Sequence, residues 1–142
     1  MNLAVEIGGG LRLKNPLLVA SGTFGYGVES EGIVDLSSLG GIVTKGLYLT
    51  PREGNDVPRI VETPSGLLNA IGLQGVGVHA FVRNLLPRLA GHDTAILVNV
   101  CGDTVDEYAE VARVLSAAPG VAGLEINISC PNVKKGGLAF GS

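Results

Sequence analysis

The stretch Ala95-Ile-Leu-Val-Asn-Val-Cys-Gly-Asp-Thr-Val-Asp-Glu-Tyr-Ala-Glu-Val-Ala-Arg-Val-Leu-Ser-Ala-Ala-Pro-Gly-Val-Ala-Gly-Leu-Glu-Ile-Asn127 decides the fold class. Its two ends, Ala95–Val100 and Val121–Asn127, are near-continuous apolar runs, the pattern of parallel strands covered on both faces. Between them Val105, Tyr108, Ala109, Ala112, Leu115 and Ala118 recur at helical spacing. Thr104, followed three residues later by Glu107, has the spacing of a capping box and predicts a helix from Val105 to Ala118. Strand, helix and strand in this order form a βαβ unit with a right-handed crossover.

Working outward, the same kind of apolar run appears at Leu17–Ala20 and Gly41–Thr44. Val78–Leu89 is a second predicted helix and Glu29–Leu36 a weaker third. Leu3–Ile7 and Leu11–Leu13, separated by Gly8-Gly9-Gly10, read as an N-terminal β-hairpin. Two α/β architectures fit, the doubly wound sheet and the (β/α)8 barrel. The interval from Lys45 to Thr94 is too long for one crossover. Within it, Pro58 to Gly77 is rich in Gly and Pro without helical period, and reads as an excursion from the top of the second strand that carries function.

The bulk numbers agree with one ordinary domain covering residues 1–142. The chain is 46% apolar, 16% charged and 4% aromatic, with a net charge of −3. Its most basic cluster is the pair Lys134-Lys135, so no face suits nucleic acid. No apolar run approaches the ~18–20 residues that span a bilayer. The N-terminus does not have the pattern of a signal peptide. Cys101 and Cys130 are the only cysteines, which argues against a disulfide scaffold and makes a cytoplasmic setting the expected one. Their spacing relative to His79 and His92 offers no zinc site, and no metal is expected. Neither a G-x-G-x-x-G fingerprint nor a G-x-x-x-x-G-K-[ST] phosphate loop occurs.

Each parallel run ends in polar residues: Ala20-Ser21-Gly22, Thr44-Lys45-Gly46, Asn99-Val100-Cys101-Gly102 and Asn127-Ile128-Ser129-Cys130. Both architectures gather such ends on the C-terminal face, where their active sites lie. Turn chemistry alone accounts for Ser21 about as well. It does not account for Lys45, a cation that faces desolvation unless an anion accompanies it. A cysteine is most often a small buried hydrophobe, and Cys101 is read that way. Cys130 is different. It sits in a polar segment, is held extended by Pro131, and has two nearby lysines able to lower its thiol pKa. It reads as a reactive thiol.

These motifs together resemble a known family. Asn127-Ile-Ser-Cys-Pro-Asn-Val133, Thr44-Lys-Gly46, Arg52-Glu-Gly-Asn55 and Gly66-Leu-Leu-Asn-Ala-Ile-Gly-Leu73 are similar, in order along the whole chain, to class 1 dihydroorotate dehydrogenases, most of all the B-type catalytic subunit. The resemblance implies a (β/α)8 barrel holding FMN at its C-terminal mouth, with oxidation of dihydroorotate to orotate in pyrimidine biosynthesis. It implies Cys130 as general base, with Lys45 contacting both flavin and substrate. It assigns Ser21, Gly22, Lys45, Gly46, Asn99 and Asn127 to the flavin. Lys45, Asn69, Ala70, Ile71, Gly72, Leu73, Asn127 and Asn132 fall to dihydroorotate or orotate. The implied partners are a second copy of the chain, in a homodimer, and an electron-transfer subunit carrying FAD and a 2Fe-2S cluster, with NAD as final acceptor.

A (β/α)8 barrel takes about 250 residues, so this chain is expected to hold an N-terminal portion with about four of the eight βα units. By itself it is expected to bind FMN weakly or not at all, and its open strand edges favour association. The other readings are a different flavin barrel, such as a dihydropyrimidine dehydrogenase-like domain or a dihydrouridine synthase, and a non-catalytic half-barrel.

Overall fold

Gly8, Gly9 and Gly10 all take positive φ, and the turn they form folds β1 (Val5–Glu6) back on β2 (Arg12–Leu13) as an antiparallel hairpin. The structure is a computed structural model that describes residues 1–128. Next come β3 (Leu18–Val19) and β4 (Gly41–Val43). A second hairpin follows, β5 (Ile60–Thr63) with β6 (Gly66–Asn69). The chain then runs through α1 (Val78–Ala80), α2 (Leu86–Leu89), β7 (Ala95–Val100), α3 (Val105–Ser116) and β8 (Val121–Ile126).

Strands β3, β4, β7 and β8 form one parallel sheet in that order. Their spatial order is their chain order. A doubly wound sheet reverses direction at a switch point; among these four strands there is none, and the succession is that of a barrel. One face of the sheet is the core. Ile42, Ile96, Val98 and Val100, all 0–1% exposed, pack against Val78, Phe81, Leu86 and Leu89 of the α1–α2 stretch and Val111 and Leu115 of α3. The other face carries Gly41, Val43, Leu97 and Asn99, as strand alternation requires. At its lower end the N-terminal hairpin reaches in, placing Leu11 Cδ2 3.6 Å from where a Cβ on Gly123 would stand.

The predicted helix at Val105 forms as expected and ends at Ser116. Thr104 caps it, its Oγ1 accepting from Glu107 N at 3.2 Å. Glu107 reaches back one residue further than a capping box requires, to Asp103 N at 2.6 Å. The predicted helix Val78–Leu89 is present but interrupted by a wide π turn at Phe81–Leu85. Pro87 supplies the reason, since it has no N–H to donate back into the preceding turn. The predicted helix Glu29–Leu36 does not form. Two single 3-10 turns, Val28–Ser30 and Leu36–Ser38, stand in its place. Gly32, at φ +83°, breaks the helical path between them.

Candidate functional site

The upper ends of the four parallel strands meet around Lys45. Its backbone N–H donates to Gly25 O at 2.7 Å, tying the β4 exit to the loop after β3. Leu47 N then donates to Asn99 O at 2.8 Å and Cys101 N to Leu47 O at 2.9 Å, which extends the β4–β7 pairing upward. Asn127 N donates to Val100 O at 3.0 Å and its carbonyl accepts from Tyr108 Oη, so α3 fixes Asn127 from the other side.

Two adjoining cavities open at this level. One, of about 340 Å³, is lined by Ser21, Gly22, Lys45, Gly46, Asn99 and Asn127, together with Tyr48, Leu73 and Cys101. The other, of about 460 Å³, is lined by Lys45 and the run Asn69-Ala70-Ile71-Gly72-Leu73, with Gly22, Gly25 and Asn55. Gly22, Lys45 and Leu73 line both. Every site residue expected from the sequence and lying within the described residues is therefore brought to one of these two spaces. Cys130 and Asn132 lie outside the described residues, as do Ser129, Lys134 and Lys135.

Lys45 is half-buried at the junction and pairs with no carboxylate among the described residues. Its charge faces the cavities. Gly46 has no room for a side chain: a Cβ there would lie 2.7 Å from Cys101 Sγ and 3.0 Å from Asn99 Oδ1. Asn99 is 4% exposed. Its amide Nδ2 donates to Glu125 at 2.5 Å, while Oδ1 accepts from Cys101 Sγ at 3.3 Å and Asn127 Nδ2 at 3.4 Å.

The run 69–73 is held in place by the segment that precedes the excursion. Asn55 donates through Nδ2 to Ala70 O at 3.0 Å and through its backbone N to Ile71 O at 3.1 Å. Leu73 takes φ +58°, the one non-glycine positive φ among the described residues, a conformation concentrated at binding sites. Arg52 exchanges backbone hydrogen bonds with Gly75 (2.8 and 2.9 Å), and its guanidinium lies 3.6 Å over the Tyr48 ring and 2.5 Å from Asp103 Oδ2. The excursion is thereby stapled to the loop after β7. Tyr26 closes the base of the return path, its Oη accepting from Val76 N at 3.2 Å. Burial raises the Tyr26 phenol pKa above its ordinary value.

Sequence reasoning missed four things here. The hairpin β5–β6 sits inside a segment read as irregular; Thr63-Pro-Ser-Gly66 between Ile60-Val61 and Leu67-Leu68 was its signal. Cys101 is buried as read, yet it also lines the smaller cavity, so its reading as packing alone is corrected. The i, i+2 relation to Asn99 marks it, since alternate strand residues share a face. Asn55 and Tyr48 complete the lining.

A parallel α/β sheet with polar side chains collected at its strands' carboxyl ends defines a protein whose binding site lies on that face. The family model described as dihydroorotate dehydrogenase matches residues 2–142, and the chain belongs to that family. It is similar to the catalytic subunit of dihydroorotate dehydrogenase B (NAD(+)) from Geotalea daltonii, 57% identical over 141 residues, covering 99% of this chain and 46% of that protein. The namesake subunit from Solidesulfovibrio magneticus is 61% identical over 132 residues, covering 93% and 43%. The chain thus spans about half the length of these curated relatives. The solved structure of the dihydroorotate dehydrogenase from Eimeria tenella with ferulenol shares the fold, with a TM-score of 0.70 at 23% identity over 94% of this chain and 38% of that one.

Proposed function

We propose that this chain is the N-terminal portion of a B-type dihydroorotate dehydrogenase catalytic subunit, a (β/α)8 barrel of which it contributes about four βα units. The reaction is oxidation of dihydroorotate to orotate in pyrimidine biosynthesis. The observation that carries the reading is the position of Lys45, a cation that pairs with no carboxylate among the described residues and lines both of two adjoining cavities. In this reading the cavity that Asn99 and Asn127 line takes the flavin ring, and the one that the run 69–73 lines takes the substrate anion. Their volumes are those of small-molecule sites.

The residues present fit FMN. Asn99 and Asn127, both lining the smaller cavity, offer amide donors and acceptors to a flat ring edge. Ser21, Gly22, Lys45 and Gly46 complete the flavin set. FMN, when bound, supplies the acceptor for two electrons and a proton as hydride. Lys45 places positive charge where electron density rises during that transfer. Asn69, Ala70, Ile71, Gly72 and Leu73 hold the dihydropyrimidine, joined by Asn127 and Asn132. Cys130, as thiolate, removes the proton from the ring carbon beside a carbonyl, a task best served by a pKa near working pH.

In this reading the full-length subunit is a cytoplasmic homodimer that passes electrons through an FAD- and 2Fe-2S-bearing partner to NAD. The name "catalytic subunit" of the relatives supports a partner. No helix among the described residues is long and apolar enough to cross a membrane. The test is to purify the full-length protein and add dihydroorotate or dihydrouracil without oxygen. Stoichiometric FMN whose visible colour bleaches with dihydroorotate alone is the expected result. Bleaching by dihydrouracil instead would assign a dihydropyrimidine dehydrogenase-like activity.

A further inference from the structure

Strand β8 contains a one-residue irregularity. Ile96 is paired with Val121, but Leu97 with Gly123, so Ala122 is left over. Val121 faces the same side as Ile96, the buried core. By alternation alone Glu125 would share that side. The extra residue reverses the parity, and Glu125 emerges opposite Asn99 as its cross-strand partner. Bulges near sites commonly re-aim one side chain; here the side chain re-aimed is a carboxylate.

Glu125 Oε1 accepts from Asn99 Nδ2 at 2.5 Å. A carboxylate only accepts, so it dictates which end of the Asn99 amide it meets. The NH2 must face Glu125 and Oδ1 must face the other way, toward Cys101 Sγ and Asn127 Nδ2. Reversing the amide would set Oδ1 against the carboxylate with no proton between them. Asn99 is buried, so water does not compensate for the wrong orientation. Asn127 is in turn constrained: its NH2 is drawn to Asn99 Oδ1 and lies 3.5 Å from Cys101 Sγ.

We propose that Glu125 is a positioning residue that, through the buried amide of Asn99, fixes the donor and acceptor polarity of the cavity wall formed by Asn99, Cys101 and Asn127. The proposal rests on the flavin reading only for the identity of the ligand that meets this wall. Glutamine at 125 removes the lock, because its own amide satisfies either orientation of Asn99.

A reciprocal exchange tests it in the full-length protein. Asn99→Asp alone places two carboxylates at hydrogen-bond distance. With Glu125→Gln added, the glutamine NH2 donates to the new carboxylate at position 99, whose outward oxygen again accepts from Cys101 and Asn127. Two readouts apply, thermal melting of the FMN-free protein and FMN titration by fluorescence quenching. Asn99→Asp is expected to weaken FMN binding about 10- to 100-fold, the range for a charged hydrogen bond. The double variant should recover at least about tenfold of that loss and at least half of the lost melting temperature, a coupling typical of contacting residues. An Asn99→Asp protein that fails to fold beside a double variant that folds is the same result. Additive losses in both readouts, or a double variant as unfolded as the single, overturn the proposal. If the wild-type protein binds no FMN, the flavin reading fails by itself and the melting cycle decides the role of Glu125.

Discussion

At Gly46 the backbone passes so close to Cys101 and Asn99 that a methyl group would overlap the thiol. Gly46→Ala is therefore expected to destabilise the protein by about 1–3 kcal/mol, the usual cost of overpacking, and to weaken FMN binding; melting and flavin titration measure both. The Tyr108 hydroxyl is a gentler case. It donates to the Asn127 carbonyl, and Tyr108→Phe should cost about 0.5–1.5 kcal/mol in chemical denaturation, the net worth of one hydrogen bond. Residue identities at strand ends were legible in the sequence, because the polar signatures of Ser21, Lys45, Asn99 and Asn127 interrupt apolar runs. Glu125 was not. Its facing depends on the extra residue Ala122, and the single sequence hint is Gly123, a glycine inside a strand.

The helix α3 was legible down to its cap, since Thr104 and the apolar spacing after it act locally. Thr104→Ala should lower stability by about 1 kcal/mol, read from the denaturation midpoint. Across Val28–Ser30 and Leu36–Ser38 the apolar residues have the partial spacing of one helix, and Gly32 at positive φ divides it into two turns. The excursion behaves as an element in its own right. Its contact with the sheet runs through Arg52, paired with Asp103 and stacked on Tyr48. Arg52→Ala is expected to loosen the run 69–73 and raise KM for dihydroorotate several-fold more than it lowers kcat in the full-length protein, since that run is the proposed substrate contact and Lys45 stays in place. A fall in kcat with KM unchanged, so that kcat and kcat/KM drop equally, would argue instead for a role in the transition state itself. The β5–β6 hairpin leaves Leu67 and Leu68 66% and 69% exposed. With both faces exposed these strands carry no period-2 alternation, and their one sequence signal is the turn Thr63-Pro-Ser-Gly66 between two apolar pairs.

For the whole molecule, the apolar runs specified parallel strands, while the choice between barrel and doubly wound sheet lay in their spatial order, which local pattern does not encode. The sequential order β3-β4-β7-β8 decides it. It also explains why residues far apart, from Ser21 to Asn127, come within reach of one lysine. The proposed function sets flavin and dihydroorotate side by side at these strand ends, with Cys130 as the proposed base. That arrangement is tested most directly by anaerobic stopped-flow reduction of the full-length protein's flavin by dihydroorotate, in wild type and Cys130→Ser. Both proteins are expected to retain FMN, and the variant's flavin to bleach at least ~100-fold more slowly, the lower end of general-base contributions. Equal rates in the two proteins, or a wild-type flavin that dihydroorotate leaves oxidised, would contradict it.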